Sequence, residues 1–288
     1  MGALGYLRVF RAEQWYKNLL VFLPLVFVKQ LFSFSFFNVL IGFAALCLVS
    51  SSGYILNDIF DIRKDRVHPE KCRRPIASGL IGVNLAFFLA IVLLLASLAV
   101  SFAVDRYFGF FVLLLFGLTL FYSLFLKNEP FLDIVIIGIN FIIRALSGAF
   151  IIFPGQVIKI SPWLILCPFF LALFLASGKR KADLILLGRN ATMHKQTLTS
   201  YTQDIVNFLL NITTTSLLLC YALFSFNSDY PNLIYTIPFA VYILFRYVSL
   251  VNSGSEIARK TYLLVKDARI MIAGFLWAAA TFVIIYLL

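Results

Sequence analysis

Charge is scarce in this chain: 13% of its 288 residues are Asp, Glu, Lys or Arg, 62% are hydrophobic, and 32 are Phe. So little charge cannot cover a water-soluble globule of this length, and the composition is that of a membrane protein. Histidine is scarcer still, and two residues cannot build a His-rich metal site. The four cysteines, Cys47, Cys72, Cys167 and Cys220, show no CxxC spacing and three lie in apolar runs, which argues against both disulfides and zinc. Short strands of alternating polarity are missing too. A backbone in lipid must satisfy its polar groups internally, so without that alternation helices remain and a β-barrel does not. No cleavable signal peptide is expected, because Arg8, Arg11, Glu13 and Lys17 precede the first long apolar run.

What is present is a series of apolar runs of roughly 17 to 25 residues, long enough to span a bilayer as helices. They predict an all-α membrane protein, a single domain over 1–288 with about nine transmembrane helices near 16–33, 36–56, 82–103, 108–125, 131–150, 162–178, 206–226, 232–250 and 268–288. Pro24 and Lys29 predict a tilt or bend in the first. With the N-terminus in the cytoplasm, 19 of the 24 Lys and Arg residues fall on that side, and Lys29, Arg106 and Lys159 fall opposite. The positive-inside rule then predicts a multi-pass protein of the plasma (inner) membrane, with loops 57–81 and 179–205 cytoplasmic. A net charge of +11 suits a surface facing anionic headgroups; nucleic acid does not suit so apolar a chain.

The scarce charge is concentrated. "YILNDIFDIRKDRVHPEKCRRPIASG", Tyr54 to Gly79, holds four acids and six bases. Asn57, Asp58, Asp61 and Asp65 follow N-D-x-x-D-x-x-x-D, and on a continued helix all four fall within an arc of roughly 100°. Three acids at a helix C-terminus oppose the macrodipole unless a cation joins them. Oxygen-only ligands with open water positions suit Mg²⁺ carrying a diphosphate. The competing reading is a solvated face paired along the helix with Arg and Lys. Downstream, His68, Lys71, Arg73 and Arg74 precede Pro75 and Gly79, and Arg forks bind phosphate oxygens bidentately where Lys acts as a point charge.

"NDIFDIRKDRVHPEKCRRPIASG" resembles the first aspartate-rich motif of the UbiA superfamily of intramembrane prenyltransferases. "FRAEQWYKNLLVFLPL" is similar to the R-x-x-Q-W-x-K-N segment of one branch, and "FYSLFLKNEPFLDIVIIGINFIIRALSGA" to the superfamily's Tyr…Lys…Asp…Arg…Gly middle segment. Members that use a prenyl diphosphate usually carry a second aspartate-rich motif after the sixth span. Here that stretch is "SGKRKADLILLGRN", with Lys179, Arg180 and Lys181 and a single acid, Asp183. In isolation Lys179 and Asp183 form an ordinary i,i+4 pair. Together with Q-W-x-K-N, G-K-R-x-A-[DE] resembles the phosphoribosyltransferase branch.

That resemblance implies transfer of 5-phosphoribose from phosphoribosyl diphosphate to a polyprenyl phosphate, releasing diphosphate. It implies Mg²⁺–diphosphate at Asn57, Asp58 and Asp61, with metal or ribose at Asp65. Lys179 and Arg180 would receive a donor phosphate, and Asp183 lies in the same motif. Lys71, Arg73 and Arg74 are helpers, and His68 is an acid or ribose contact. Gln14, Lys17, Lys127 and Arg144 are the acceptor-phosphate set, with Tyr122 as an anion donor. Arg144 lies within a span, where an ionisable residue marks function unless it pairs with Asp133 or a carbonyl. A prenyl-diphosphate-using transferase is the nearest rival, and a transporter the rival of another class. Lipid chain length, the glycan served and a homo-oligomer are left open.

Overall fold

A computed structural model describes residues 4–156, 161–187 and 201–288. Among these residues the chain is helical with no strand. Lys159, Arg189 and Lys195 of the charge count, and residues 188–200 of the expected second loop, lie outside the described residues.

Eight helices are long and apolar enough to cross a membrane. Among the described residues they are built on α1 (Ser35–Phe60), α2 (Val83–Val104), α3 (Arg106–Phe121, continued by a π-helical turn to Leu126), α4 (Leu132–Ile152), α5 (Pro162–Leu187), α6 (Gln203–Asn227), α7 (Ile237–Asn252, led in by the 3-10 helix Pro231–Thr236) and α8 (Ala268–Tyr286). The expected first span, 16–33, is built differently. A 3-10 helix, Ala12–Phe22, leads into a short α-helix, Leu23–Phe27, and the chain turns at Lys29 with φ +57°. Pro24 has no N–H to give to an earlier turn, so the α-helix restarts there. At about 2.0 Å per residue for 3-10 and 1.5 Å for α, the two pieces have a contour near 30 Å, close to a hydrocarbon core. Among the described residues, eight long helices and one mixed segment therefore answer to the expected count of about nine spans.

The helices pack as two compact units, residues 1–127 with 143–160, and residues 128–142 with 161–288. In the first, α1 lies along α2 and the 3-10 segment lies along α1. Small residues let these helices approach: Ser52 Oγ donates to the Ala90 carbonyl and Ser97 Oγ to the Ala45 carbonyl, both at 2.8 Å. Gly148 of α4 faces the carbonyl of Val21, where a Cβ would clash with backbone. Val21, Leu25, Leu46, Phe108, Val112 and Ile151 fill this core. The span of α1 is 61% buried and that of α2 17%, which gives α2's Phe and Leu side chains to lipid.

In the second unit α5 packs on α6 and α7, and α7 on α8, around Phe174, Leu210, Leu244, Tyr247 and Val251. The helix α5 runs nine residues past the expected end at 178, so "GKRKAD" is helical rather than loop. Lys, Arg, Ala and Leu favour this continuation. Gly178 is tolerated within it because the Tyr247 ring occupies the space of a side chain there.

Candidate active site

The acids of the first motif sit where α1 ends. Helix geometry breaks at Asp61 and resumes over Ile62–Val67, with the Asp61 N–H donating to Asn57 O at 3.0 Å and the Asp65 N–H to Asp61 O at 2.8 Å. The one-face helix expected over 57–65 is thus bent rather than continuous, as acids crowd the unfavourable end of the macrodipole. The bend sinks Asp58 and Asp65, which are buried, and leaves Asp61 half-buried.

Each of these carboxylates is met by a cation. Arg11 donates to Asp58. Arg74 Nη1 lies 3.0 Å from Asp58 Oδ1 and 2.5 Å from Asp65 Oδ2, bridging the two acids. Lys127 Nζ lies 2.5 Å from Asp61 Oδ1. Lys127 arrives there through a π-helical turn, Tyr122–Leu126, closed by its own N–H to the Tyr122 carbonyl at 2.9 Å. Such turns recur at functional sites because the extra residue redirects the side chains that follow. Lys127 therefore belongs with the first motif, while Tyr122 contributes its carbonyl to the turn.

The basic half of the motif forms the next turn. The Nδ1 of His68 accepts from the backbone N–H of Glu70 at 3.1 Å and of Lys71 at 3.3 Å, so this histidine shapes the loop. Burial, with Arg74 alongside, holds the Lys71 ammonium below the usual lysine range, against the pull of Asp65 and Asp61. Arg73 is exposed. Gly79, with φ +79°, supplies the left-handed turn that ends the loop.

The N-terminal segment closes on α1. Trp15 Nε1 donates to Ser51 Oγ at 3.0 Å, and Ser51 Oγ donates to the Phe10 carbonyl at 2.8 Å. Gln14 is half-buried, and Lys17 lies 5.9 Å from the Tyr16 ring centre. Arg144 is buried, and its Nε donates to Asn18 Oδ1 at 2.8 Å, an acceptor shared with Ser50 at 3.3 Å. The alternative partner Asp133 is bonded elsewhere. Arg11 and Asn18 are the polar residues that sequence reasoning missed. Both stand inside "FRAEQWYKN", whose spacing was the available signal.

In the second unit Asp133 is fully buried and receives Arg180 Nη2 at 2.5 Å and the Tyr201 hydroxyl at 2.7 Å. The same hydroxyl accepts from the Phe131 N–H at 2.9 Å, and Phe131 itself holds φ +64°. Burial, reinforced by Asp133, pushes the Tyr201 phenol above its ordinary pKa. One turn on, Asp183 is bound by Arg259 at 3.0 Å. Lys179 is exposed.

Among the described residues no three His, Cys, Asp or Glu side chains converge into a ready-made metal cage. Mg²⁺ does not require one, since it keeps waters and takes one or two carboxylates plus phosphates. Asn57, Asp58 and Asp61 are hard oxygen donors at one helix end, and cations already occupy the position where positive charge is demanded. This hard-oxygen donor set fits Mg²⁺.

Comparison with known proteins bears on the family and the fold. Residues 18–266 match the UbiA prenyltransferase family. The chain is 33% identical over 268 residues to the decaprenyl-phosphate phosphoribosyltransferase of Mycolicibacterium smegmatis, covering 87% of this chain and 83% of that one. It is 31% identical over 270 residues to the enzyme of the same name from Corynebacterium glutamicum, covering 87% and 77%. Among solved structures, a UbiA homologue from Archaeoglobus fulgidus bound to GPP and Mg²⁺ superposes with a TM-score of 0.73 at 18% identity, over 98% of this chain and 99% of that one.

Proposed function

Since the chain belongs to the UbiA prenyltransferase family, we propose that this integral, multi-pass membrane protein transfers 5-phosphoribose from phosphoribosyl diphosphate to a polyprenyl phosphate. The observation that carries the choice within the family is the end of α5. That helix carries a single acid, Asp183, which meets Arg259 at 3.0 Å, so among the described residues it lacks the cluster of carboxylates that a second metal–diphosphate site would use. Named relatives at 31–33% identity support the same choice.

The reaction makes one bond and breaks one. An oxygen of the lipid phosphate bonds to the anomeric carbon, and the bond from that carbon to diphosphate breaks, its electron pair leaving with diphosphate. The carbon passes through an oxocarbenium-like state, so negative charge building on the leaving group must be stabilised by preorganised cations. Asn57, Asp58 and Asp61 would hold Mg²⁺, which when bound would supply Lewis-acid stabilisation of the diphosphate. Arg74, Lys127 and Lys71 supply phosphate contacts around it, with Arg73 at the exposed edge and Asp65 retaining Arg74. Lys179 offers a point charge to a phosphate, and Arg180, sealed against Asp133, fixes the turn that presents it. Gln14, Lys17 and Arg144 form the acceptor-phosphate set. A phosphate nucleophile needs no strong base, consistent with His68 serving the loop. The charge bias supports an inner-membrane protein with the first motif on the cytoplasmic side, where phosphoribosyl diphosphate is found.

The test is incubation of purified protein in nanodiscs with labelled phosphoribosyl diphosphate, Mg²⁺ and polyprenyl phosphates of two lengths. Label passing to lipid, abolished by EDTA and restored by Mg²⁺, is the expected result. Transfer from a prenyl diphosphate to an aromatic acceptor, with none from phosphoribosyl diphosphate, overturns it.

A further inference from the structure

Three described non-glycine residues hold positive φ, and Arg11 is the one whose side chain enters the first motif. Its φ of 49° and ψ of 47° place it in the left-handed region between two 3-10 helices, Arg8–Phe10 and Ala12–Phe22. For a residue with a Cβ that conformation is strained, and it persists only where the surroundings over-determine it. Here they do. Phe10 and Trp15, on either side of the turn, are both hydrogen-bonded to Ser51. Ser51, Tyr54 and Asp58 stand at i, i+3 and i+7, one face of α1. Along that face the guanidinium of Arg11 lies 5.2 Å from the Tyr54 ring centre and reaches the Asp58 carboxylate.

We infer that Arg11 is a phosphate-binding residue of the donor site, which neutralises Asp58 while the site is empty and passes to the departing diphosphate when Mg²⁺ takes Asp58. This rests on the phosphoribosyl-transfer reading above. Asp58 has two guanidinium partners, Arg11 and Arg74, and Arg74 is also bound to Asp65. A dication on Asp58 removes the need for both. Arg74 has a second carboxylate to keep it; Arg11 is the partner released. Repulsion between a released guanidinium and the metal is relieved by a polyanion lying between them, and a planar fork suits two phosphate oxygens. The side chain of Arg11 keeps 17% exposure, enough freedom for that exchange, and Tyr54 holds its plane in reach. The strained turn is then what aims an N-terminal cation at the metal-binding acid.

Arg11→Gly separates aim from charge, because glycine adopts this backbone freely while deleting the guanidinium. In full-length protein in nanodiscs, the variant is expected to unfold at the same temperature as the parent or higher. Its KM for phosphoribosyl diphosphate should rise about ten- to hundredfold, the size of a lost charge-assisted bond. The KM for polyprenyl phosphate should stay within about twofold, well under the effect of losing a bond. Arg11→Lys should recover part of the loss. Without donor, Mn²⁺ titrated as a magnetic probe should bind the glycine variant more tightly than the parent, since one competitor for Asp58 is gone. Parental donor KM with unchanged Mn²⁺ affinity overturns the proposal. So does an Arg11→Gly protein that fails to fold on a backbone glycine favours, which makes Arg11 a brace. A parent protein that transfers no phosphoribose, yet shows the Mn²⁺ difference, rejects the reaction and keeps the exchange at Asp58.

Discussion

Two buried carboxylates, Asp58 and Asp133, are each held by arginine, and they are held differently. Asp58 belongs to a chain of shared contacts: two guanidinium groups reach it, one of them also binds Asp65, and their side chains keep 17% and 26% exposure. Asp133 is sealed, with 0% exposure, and its Arg180 side chain keeps 7%. Its other oxygen takes the Tyr201 hydroxyl. A carboxylate whose partners are shared and wet can exchange them for a metal at small cost. One whose partners are desolvated cannot, because removing either leaves a buried charge uncompensated. The first arrangement suits a site that fills and empties; the second suits a fixed joint, binding the start of α4 to the last turns of α5 and to the residue that leads into α6.

The largest effect that would sharpen this contrast is on turnover. Asp58→Ala and Asp61→Ala should each lower phosphoribosyl transfer by about a hundredfold or more, as expected when charge stabilisation of a leaving group is removed. Neither should lower the unfolding temperature appreciably, since the cations left behind reach water or, for Arg74, keep Asp65. A folded Asp58→Ala protein with full activity would erase the distinction by making the first motif a set of structural ion pairs.

The next effect is on stability. Asp133→Asn retains shape but leaves Arg180 without its carboxylate, and breaking a buried pair in this way costs about 3–5 kcal/mol. Chemical unfolding in detergent micelles measures it directly, and activity should fall in step with the folded fraction. Unchanged stability with lost turnover would move Asp133 from joint to active centre.

How far these regions were legible from sequence follows from the same contrast. The first motif was readable because its residues are close in the chain: Asn57, Asp58, Asp61, Asp65 and Arg74 fall within one loop and carry a recognisable spacing. The long helices were readable from apolar run length, which is set by bilayer thickness. The mixed 3-10 and α segment was not, because Pro24 marks a break without saying which helix precedes it. The second joint was invisible, since Asp133, Arg180 and Tyr201 are separated by 47 and 68 residues along the chain. In sequence Asp133 has Arg144 eleven positions on as the nearer partner. Packing within each unit decided otherwise, giving Asp133 to Arg180 and Arg144 to Asn18. Arg180 and Asp183, expected from sequence as substrate contacts, meet Asp133 and Arg259, partners that no local pattern announces.

The smallest effect tests the joint by its proton. Tyr201→Phe deletes one hydroxyl that donates to Asp133 and accepts from the Phe131 N–H, taking one hydrogen bond from the buried carboxylate and one from that N–H. Stability should fall by about 1–3 kcal/mol at neutral pH. The pH dependence carries the sharper information. Folding raises the pKa of this phenol, so the folded state keeps its proton at a pH where the unfolded chain has lost it. Its contribution is therefore complete below the unfolded tyrosine pKa of about 10 and declines as pH climbs from there toward the folded value. The parent should lose stability between neutral and strongly alkaline pH more steeply than Tyr201→Phe, and the two curves should converge at the alkaline end. Parallel curves across that range would mean that Tyr201 titrates alike in both states, and that its hydroxyl is not locked to Asp133.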